Sequence, residues 1–476
     1  MSREPLWTQA QIEMVLSCKA SAAFPSVGGI SIDTRSLEHG DLFVALKDAR
    51  DGHDFVADAF AKGAGVALIS AERAAQLSGF GPVLPVADPL KALERLGMAR
   101  REQSKARIIA VSGSVGKTGT KEGLRVMLKA FGPTHASVAS YNNHLGVPLT
   151  LARMPLDAVF GVYEIGTNHA GEIAPLAAQV RPDIALLTTV ENVHIENFSS
   201  PEAIADEKAA LYGGVVEGGV VLLPRDNRHY ARLRRHAEQT RAGHILTFGA
   251  EVDADIRLLD ARLFPDHTTV TASVCGQRIT YDFGAPGQHL VTNSLAMIAC
   301  AHVLGLDLAQ AGAALSQVRP PKGRGERLTL SGHGISFTLL DESYNANPAS
   351  MRAALALLAQ TPVGPKGRRI AVLGDMLELG AEAQALHQGL AGAIAEHGID
   401  HVFAAGPLMR SLYEALPQSR QAGWQSGAEA LFEPLFAALQ TGDVVMVKGS
   451  FSSRMGEVIK ALKDRYSEGA VMRSHS

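Results

Sequence analysis

The sequence predicts an α/β protein that is divided into three domains. Its 476 residues exceed what one hydrophobic core usually supports, and 46% of them are hydrophobic, which is enough for several cores. Short apolar runs alternate with helical patterns along the whole chain, as in parallel sheets covered by helices. Two charged segments, "ARREQSKAR" and "VRPPKGRGER", separate this alternation into three blocks.

The first block predicts a small α/β domain over residues 1–104. Its strand candidates are "GISIDTR", "DLFVALK" and "VALIS", and "DFVADAFAKGA" has a helical pattern.

The second block, residues 105–320, predicts a central α/β domain with a mostly parallel sheet. It opens with "IIAVSG" and continues with the strand candidates "AVFGVYEIG" and "IALLTTV". After about residue 244 the pattern changes to alternating residues with turn signals, as in "HTTVTASVCGQRITYDF", which predicts an antiparallel appendage.

The third block, residues 321–476, predicts another βαβ domain of the Rossmann-like type. Its strand candidates are "ISFTLLDES", "RRIAVLGDM", "HVFAAG" and "DVVMVKGS", and "AEAQALHQGLAGAIAEHG" reads as a helix. Because "VRPPKGRGER" concentrates Pro, Gly and charge, it is the predicted linker before this domain.

Composition argues for small-molecule chemistry in the cytoplasm. The 45 basic and 48 acidic residues give a formal charge of −3, which offers no electrostatic argument for a nucleic-acid or membrane partner. Cys18, Cys275 and Cys300 form no CxxC motif and are too few for a disulfide framework. The N-terminus has no signal-peptide core, and no apolar run reaches the roughly 18 residues of a membrane span.

The stretch "RIIAVSGSVGKTGTKE" predicts a phosphate-binding loop between a strand and a helix. Glycines let backbone N–H groups turn toward phosphate oxygens, and the helix N-terminus adds partial positive charge. Lys117 would reach the terminal phosphates, and Thr118 would hold Mg²⁺. Val111 occupies the position where the common pattern has glycine, so an ordinary strand-to-helix turn is the alternative.

Two further residues lie where α/β sheets place their ligands. Glu164 ends the apolar strand in "VYEIGTNHAGEI", and a carboxylate there is suited to Mg²⁺. His194 follows the next strand, "IALLTTV", at a similar edge. A rim carboxylate and a structural histidine are the alternatives.

Lys208 lies about two turns into a predicted helix. Ser200 reads as the N-cap and Pro201 as the first helical residue. Taken alone, the pattern favours a solvated surface lysine.

These motifs, taken together and in order, resemble the Mur ligase family, which builds the peptide of bacterial cell-wall precursors. The resemblance covers nearly the whole chain and is carried by the segments "DTRSLEHGDLFVALKDARDGHDF", "GSVGKT", "YNNHLGVPLT", "EIGTNHAGEI", "DESYNANPASM", "LGDMLELG" and "VKGSFSSRM". Within the family it is similar to the branch that adds D-alanyl-D-alanine. The resemblance implies a UDP-sugar domain, a P-loop ATPase domain and a third domain that closes on the nucleotide.

The resemblance also implies roles for single residues. Glu164 and His194 match Mg²⁺ ligands, and Lys208 matches a lysine that many members carbamylate, which reverses the surface interpretation. His289 and Asn293 match the pattern near adenine, although Leu290 replaces an asparagine often found there. The remaining ATP-binding positions are Gly113, Ser114, Val115, Gly116, Lys117, Thr118, Gly119, Arg324, Asp341, Tyr344, Asn345 and Asn347.

Substrate-binding positions are implied in all three domains. Thr34 and Arg35 match the UDP end, where a guanidinium suits a diphosphate. The others are Asn142, Asn143, Lys448, Ser450 and Arg454, the last three for the D-alanyl-D-alanine pocket. Capping or surface roles remain the alternatives for Thr34, Arg35 and the asparagines of "NANP".

The implied reaction is an ATP-dependent ligation. ATP converts the carboxylate of UDP-N-acetylmuramoyl-tripeptide to an acyl phosphate, which the amine of D-alanyl-D-alanine attacks. Two Mg²⁺ ions and a carbamylated Lys208 are the implied cofactors, and we expect a monomer. The alternatives are the ligase that adds the third residue, folylpolyglutamate synthase, and a nucleotide-dependent switch without ligase activity.

Overall fold

A computed structural model describes residues 5–138, 140–191, 195–264 and 266–468. The first region is a four-stranded parallel sheet in the order β1-β2-β3-β4, with helices around it. Its elements are α1 (Gln9–Leu16), β1 (Ile30–Ser31), β2 (Leu42–Val44), α2 (Val56–Ala61), β3 (Val66–Ser70), α3 (Ala74–Leu77), β4 (Val83–Val86) and α4 (Pro89–Gln103). Asp88 caps α4 by accepting hydrogen bonds from the Leu90 and Lys91 amides.

The second region is built on a nine-stranded sheet in the order β13-β12-β11-β10-β9-β8-β5-β7-β6. Its elements are β5 (Arg107–Ser112), α5 (Lys117–Lys129), β6 (Thr134–Ala136), α6 (Gly146–Ala152), β7 (Phe160–Glu164), α7 (Ile173–Val180), β8 (Ile184–Leu187), α8 (Pro201–Ala209), β9 (Val220–Pro224), α9 (Tyr230–Glu238), β10 (His244–Gly249), β11 (Ile256–Leu263), β12 (Thr268–Val274), β13 (Gln277–Phe283), α10 (Gln288–Val303) and α11 (Leu308–Leu315). In this sheet β5 lies between β7 and β8, and it is parallel to both. The carboxyl ends of these three strands therefore meet where α/β sheets bind ligands.

The antiparallel part of this sheet differs from the predicted appendage in two ways. It begins at the β11–β12 pair and not near residue 244, because β10 is still parallel to β9. It also continues the same sheet, since β11 pairs with β10 on one edge and β12 on the other. The alternating pattern predicted the strand direction correctly, but it carries no information about which existing edge a strand joins.

The third region has a seven-stranded sheet in the order β18-β17-β16-β19-β15-β14-β20. Its elements are β14 (Glu326–Gly332), β15 (Ile335–Glu342), α12 (Pro348–Gln360), β16 (Arg369–Gly374), α13 (Ala383–Gln388), α14 (Leu390–Glu396), β17 (His401–Ala405), α15 (Met409–Ala415), β18 (Gln421–Gln425), α16 (Phe432–Ala438), β19 (Val444–Lys448), α17 (Met455–Arg465) and β20 (Ser467–Glu468). The strands from β18 to β15 are parallel, and β14 pairs antiparallel with both β15 and β20. The predicted α/β fold with mostly parallel sheets is confirmed.

The first and second regions share one hydrophobic core. Leu149 and Ala152 of α6 belong to the same buried cluster as Trp7 and Leu93 of the first region. The Trp7 indole N–H donates to the Ala152 carbonyl at 2.8 Å, and the Arg100 guanidinium lies 4.0 Å from the Trp7 ring centroid. Among the described residues, the buried clusters of the third region contain no residue of the other two. The domain bounds at residues 104 and 320 stay predictions, and only the second separates independent cores.

We expect Trp7→Ala to destabilise the first and central regions together. Trp7 is fully buried, so its removal should cost about 3–5 kcal/mol of unfolding free energy. Differential scanning calorimetry would check this result, and the fluorescence of Trp424 in the variant would report separately on the third region. Trp424, the only other tryptophan, packs within the third region and provides the matched control, Trp424→Ala. The shared core would be contradicted if Trp7→Ala shifted only a small unfolding transition at lower temperature. In that case the unfolding transition of the central region would be unchanged.

None of the helices within the described ranges is both long and apolar enough to cross a membrane.

Candidate active site

A cleft of about 940 Å³ lies between the central and third regions. On the central side it is lined by the loop after β5 and by the ends of β7 and β8, and on the other side by the loops after β15, β16 and β19. The predicted linker supplies Pro320, Pro321, Gly323 and Arg324 at the base of the cleft. Its size is in the range of small-molecule sites.

The loop after β5 has the backbone shape that a phosphate cradle requires. Gly113 has φ 141° and Gly116 has φ 87°, conformations that side-chain-bearing residues rarely adopt. A Cβ on Gly113 would lie 2.1 Å from the Thr188 hydroxyl oxygen, and one on Gly116 would lie 2.7 Å from the Asn293 amide nitrogen. Both glycines are therefore required, and Val111 in the strand does not prevent the turn.

Lys117 and Thr118 begin helix α5 directly after this loop. The Lys117 ammonium donates to the Gly113 carbonyl at 2.7 Å, so its side chain folds back over the loop. Burial lowers the pKa of Lys117, although the nearby Glu164 carboxylate opposes that effect. Arg324 of the linker adds a second positive charge near Lys117, and this charge also lowers the pKa. The loop thus faces two cations, which suits an anionic ligand.

Glu164 is buried at the end of β7 with both carboxylate oxygens bonded. Its Oε2 accepts from the Thr118 hydroxyl at 2.9 Å, and its Oε1 accepts from the Asn142 amide at 2.8 Å. The structure therefore places Asn142, predicted as a substrate residue, beside Glu164 in the cleft wall. The neighbouring Asn143 instead accepts from the Leu145 and Gly146 amides at the start of α6, and it does not line the cleft.

Lys208 is buried in α8, with only 1% of its surface exposed, so the surface interpretation is wrong. Ser200 caps this helix and Pro201 opens it, as predicted. Burial holds the pKa of Lys208 well below its ordinary value, and the charge of Lys117 lowers it further. No described residue accepts a hydrogen bond from its amine. His194, the other predicted ligand on this side, lies outside the described residues.

Hydrogen bonds hold the loop that follows β7 against helix α8. The carboxylate of Glu207, next to Lys208, accepts from the Gly171 amide at 2.7 Å and the Ile173 amide at 2.8 Å. Glu172 accepts from the Asn168 amide at 2.8 Å. These bonds fix the segment "GTNHAGE", whose first three residues line the cleft.

The third-region wall of the cleft, opposite the phosphate loop, contains Arg324, Tyr344 and Lys448. The Arg324 guanidinium lies 4.1 Å from the Tyr344 ring centroid. The buried Lys448 ammonium donates to the Asn345 carbonyl at 2.9 Å and pairs with Glu342 at 3.4 Å. Burial lowers the pKa of Lys448, which Glu342 opposes.

Three other residues predicted for this wall make hydrogen bonds within the third region. Asn347 caps α12, accepting from the Ser350 amide at 2.9 Å, although it also lines the cleft. Asp341 accepts from the Ser343 hydroxyl at 2.6 Å and does not line the cleft. The Ser450 hydroxyl oxygen accepts from the Leu377 amide at 2.9 Å and joins the loops after β16 and β19.

Besides Asn143, three predicted substrate residues lie outside the cleft. Arg454 is exposed and pairs with Glu429 at 2.8 Å. Thr34 and Arg35 lie in the first region, where the Arg35 guanidinium pairs with Asp33 at 2.6 Å. Tyr141 of the central region interacts electrostatically with Arg35, so this end of the first region faces the segment that carries Asn142.

Two family models match the chain, over residues 111–301 for the Mur ligase middle domain and 323–451 for the Mur ligase, glutamate ligase domain. The UDP-N-acetylmuramoyl-tripeptide–D-alanyl-D-alanine ligase of Escherichia coli is 32% identical over 96% of this chain and 98% of its own length. The chain belongs to the Mur ligase family. The enzyme of the same description from Bacillus subtilis is 31% identical over 94% and 96%.

Solved Mur ligase structures share the fold. MurF from Acinetobacter baumannii matches with a TM-score of 0.83 and 29% identity over 96% of this chain and 99% of its own. MurF from Thermotoga maritima, solved in complex with ADP, matches with a TM-score of 0.75 and 23% identity over 92% and 97%. The first matched segment ends at residue 301 and the second begins at residue 323, so the linker at Pro320 and Pro321 lies between them in the sequence, and the cleft is lined by residues of both.

The Mur ligase cleft also contains residues that the sequence patterns did not indicate. They include Asn168, Glu191, Asn227, Arg228, Leu377 and Phe451. Leu377 and Phe451 belong to motifs that the sequence did single out, and each follows a parallel strand at its carboxyl end. Their position at the carboxyl end of a strand could have indicated a ligand site, but apolar residues at such a position look like ordinary core residues in the sequence.

The residues near Glu164 fit Mg²⁺. The Thr118 hydroxyl and the Glu164 carboxylate are hard oxygen donors that already lie within 2.9 Å of each other. Across the described ranges, no three His, Cys, Asp or Glu side chains come together as a metal cluster. Further oxygen ligands would have to come from the substrate phosphates, from water or from a modified Lys208.

Proposed function

We propose that this chain is the ATP-dependent ligase that joins D-alanyl-D-alanine to UDP-N-acetylmuramoyl-tripeptide. The products are UDP-N-acetylmuramoyl-pentapeptide, ADP and phosphate, and the reaction serves peptidoglycan synthesis. One observation carries the proposal beyond the full-length similarity to enzymes of this description: the phosphate loop and the loops of the third region line a single cleft. A ligase needs this arrangement because the nucleotide and the incoming amine must meet.

The first step activates the tripeptide carboxylate, which does not condense with an amine in water. The carboxylate oxygen attacks the γ-phosphorus of ATP, the bond to the β-phosphate oxygen breaks, and an acyl phosphate and ADP form. Negative charges of the two substrates are brought together in this step. Lys117 at the loop and Arg324 at the linker would stabilise these charges, since both cations lie at the phosphate side of the cleft.

We assign two Mg²⁺ positions to residues of this chain. Thr118 and Glu164 would hold one ion, and Glu164, His194 and a carbamylated Lys208 would hold the second. Bound Mg²⁺ supplies additional neutralisation of the phosphate charge. Asn142 keeps the Glu164 carboxylate oriented, because it donates to the oxygen that Thr118 does not contact.

The environment of Lys208 supports carbamylation. CO₂ reacts with the neutral amine, a C–N bond forms, and one proton is released to leave an anionic carbamate. Since burial holds the pKa of Lys208 well below its ordinary value, the neutral amine that reacts with CO₂ is more accessible than in an exposed lysine. An ammonium ion at this position would repel a metal, whereas a carbamate offers a hard oxygen ligand.

The second step requires the third region to deliver the amine. The neutral amine of D-alanyl-D-alanine attacks the acyl carbon, the bond from that carbon to the phosphate oxygen breaks, phosphate leaves, and the nitrogen releases one proton as the amide forms. Because water would hydrolyse the acyl phosphate, we propose that the third region closes over the nucleotide, hinged at residues 320–325. Gly323 and Gly325 in this segment both have positive φ, at 73° and 100°.

We propose that residues 1–104 bind the UDP-sugar, 105–320 bind ATP, and 321–476 carry the amine site. Thr34 and Arg35 would contact the diphosphate after Arg35 leaves its exposed pair with Asp33, which is weak at the surface. Cys18, Cys275 and Cys300 are free thiols, which suits a reducing cytoplasm. We propose that the protein acts there as a monomer.

We expect phosphate release to depend on D-alanyl-D-alanine. Purified protein with Mg²⁺, ATP and UDP-N-acetylmuramoyl-tripeptide should turn over at a substantial rate only after the dipeptide is added, and mass spectrometry should show the UDP-linked pentapeptide. Omitting the tripeptide is the matched control. Phosphate release that is indifferent to the dipeptide would contradict the ligase and favour a nucleotide-dependent switch.

A further inference from the structure

Two apolar side chains are exposed in the third-region wall of the cleft. Phe451, after β19, has 74% of its surface exposed, and Leu377, after β16, has 37% exposed. Both line the cleft, and neither has a part in the chemistry described above. An exposed aromatic ring in a substrate cleft offers apolar contact to a ligand.

A series of side-chain contacts gives the position of Phe451 and Leu377 along the wall. Arg324, whose charge acts on Lys117, covers the Tyr344 ring, and the Tyr344 and Phe451 ring centroids are 6.0 Å apart. Ser450, next to Phe451, bonds to Leu377.

Beyond Leu377 the wall reaches the central region again. The Cβ position of Gly380 lies 3.6 Å from the Cβ of Glu196, in the segment that precedes α8. Along the wall, Phe451 and Leu377 therefore lie between Tyr344, which is beside Arg324 on the phosphate side, and Gly380, which meets Glu196 of the central region.

We propose that Phe451 and Leu377 are specificity-determining residues that hold the two methyl groups of D-alanyl-D-alanine. The inference rests on the proposed function, in which the acyl phosphate forms beside Lys117 at the phosphate loop. The attacking dipeptide then approaches from the third-region wall, where these side chains lie. Its only side chains are two methyl groups, so selection over glycine requires apolar contact.

The adenine base is the competing occupant of this surface, and the structure favours a different place for it. Gly116 of the phosphate loop lies against Asn293 of α10. Leu290, Phe283 and Pro320 line the cleft on the same side and provide an apolar surface for a base there.

Steady-state kinetics of Phe451→Ala and Leu377→Ala, with D-alanyl-D-alanine, glycylglycine and ATP each varied, test the proposal. We expect the KM for D-alanyl-D-alanine to rise and its kcat/KM to fall by about 10- to 100-fold, the range that one apolar group provides in a binding pocket. The kcat/KM for glycylglycine should fall much less, and the KM for ATP should not change. Phe80→Ala is the matched control, because Phe80 is 53% exposed and lies in the first region outside the cleft.

Two results would overturn the inference. A raised KM for ATP with an unchanged dipeptide KM would assign Phe451 to the nucleotide. Equal losses for both dipeptides, with the preference for alanine retained, would exclude a methyl-binding role. In either case the proposed function stands if the wild-type protein forms the pentapeptide product. If the wild-type protein does not use the dipeptide, both the proposed function and this inference are wrong.

Discussion

Lys117→Ala should lower kcat by about 10³-fold or more while the protein stays folded, by analogy with single electrostatic donors in other enzymes. Lys117 folds over the phosphate loop through its 2.7 Å bond to Gly113, and burial together with Arg324 lowers its pKa. The variant removes the cation of the phosphate loop that we assign to the transferred phosphate. Single-turnover phosphate release measures the loss directly, and circular dichroism with thermal unfolding reports on the fold.

Lys129→Ala is the matched control for this prediction. Lys129 is an exposed lysine in the last turn of the same helix, so its removal changes the charge of α5 but not the cleft. We expect near wild-type turnover. If Lys117→Ala instead unfolds while its activity per folded molecule is unchanged, then Lys117 stabilises the loop and does not act on phosphate.

Lys208→Ala should lose nearly all ligase activity, and formate or acetate at high concentration should restore part of it. A short carboxylate can occupy the space of the lost carbamate and supply an oxygen ligand. Lys208→Arg should stay inactive, because a guanidinium keeps the charge but is not carbamylated. Carbon-13 NMR of wild-type protein under labelled CO₂ should show a carbamate signal that is absent from both variants.

Lys117→Ala again provides a control, since formate should not rescue a variant that has lost a cation. Thermal unfolding of Lys208→Ala should show a folded protein, because the substitution removes a buried amine with no hydrogen-bond partner among the described residues. Full activity of Lys208→Arg, or a wild-type spectrum without the carbamate signal, would contradict carbamylation. The first of these results would also show that Lys208 is not a metal ligand.

Local sequence was sufficient to predict the three α/β blocks, the strand-to-helix phosphate loop and the start of α8. These features depend on interactions between near neighbours: apolar runs form strands, glycines permit positive φ at Gly113 and Gly116, and Ser200 with Pro201 begins a helix. The position of Glu164 at a strand end also followed from the apolar run before it. Its bonds to Thr118 and Asn142 did not, because these residues come from other parts of the chain.

Tertiary structure decided the environment of Lys208. Its acidic neighbours Asp206 and Glu207 make the helix look solvated, yet Asp206 pairs with Arg232 and Glu207 binds the amides at the start of α7. Those contacts leave Lys208 buried. The same reason explains why Arg454 lies outside the cleft and why the first region shares a core with α6. Burial and proximity arise from packing between residues that are distant in sequence, and periodicity, caps and turns carry no record of those partners.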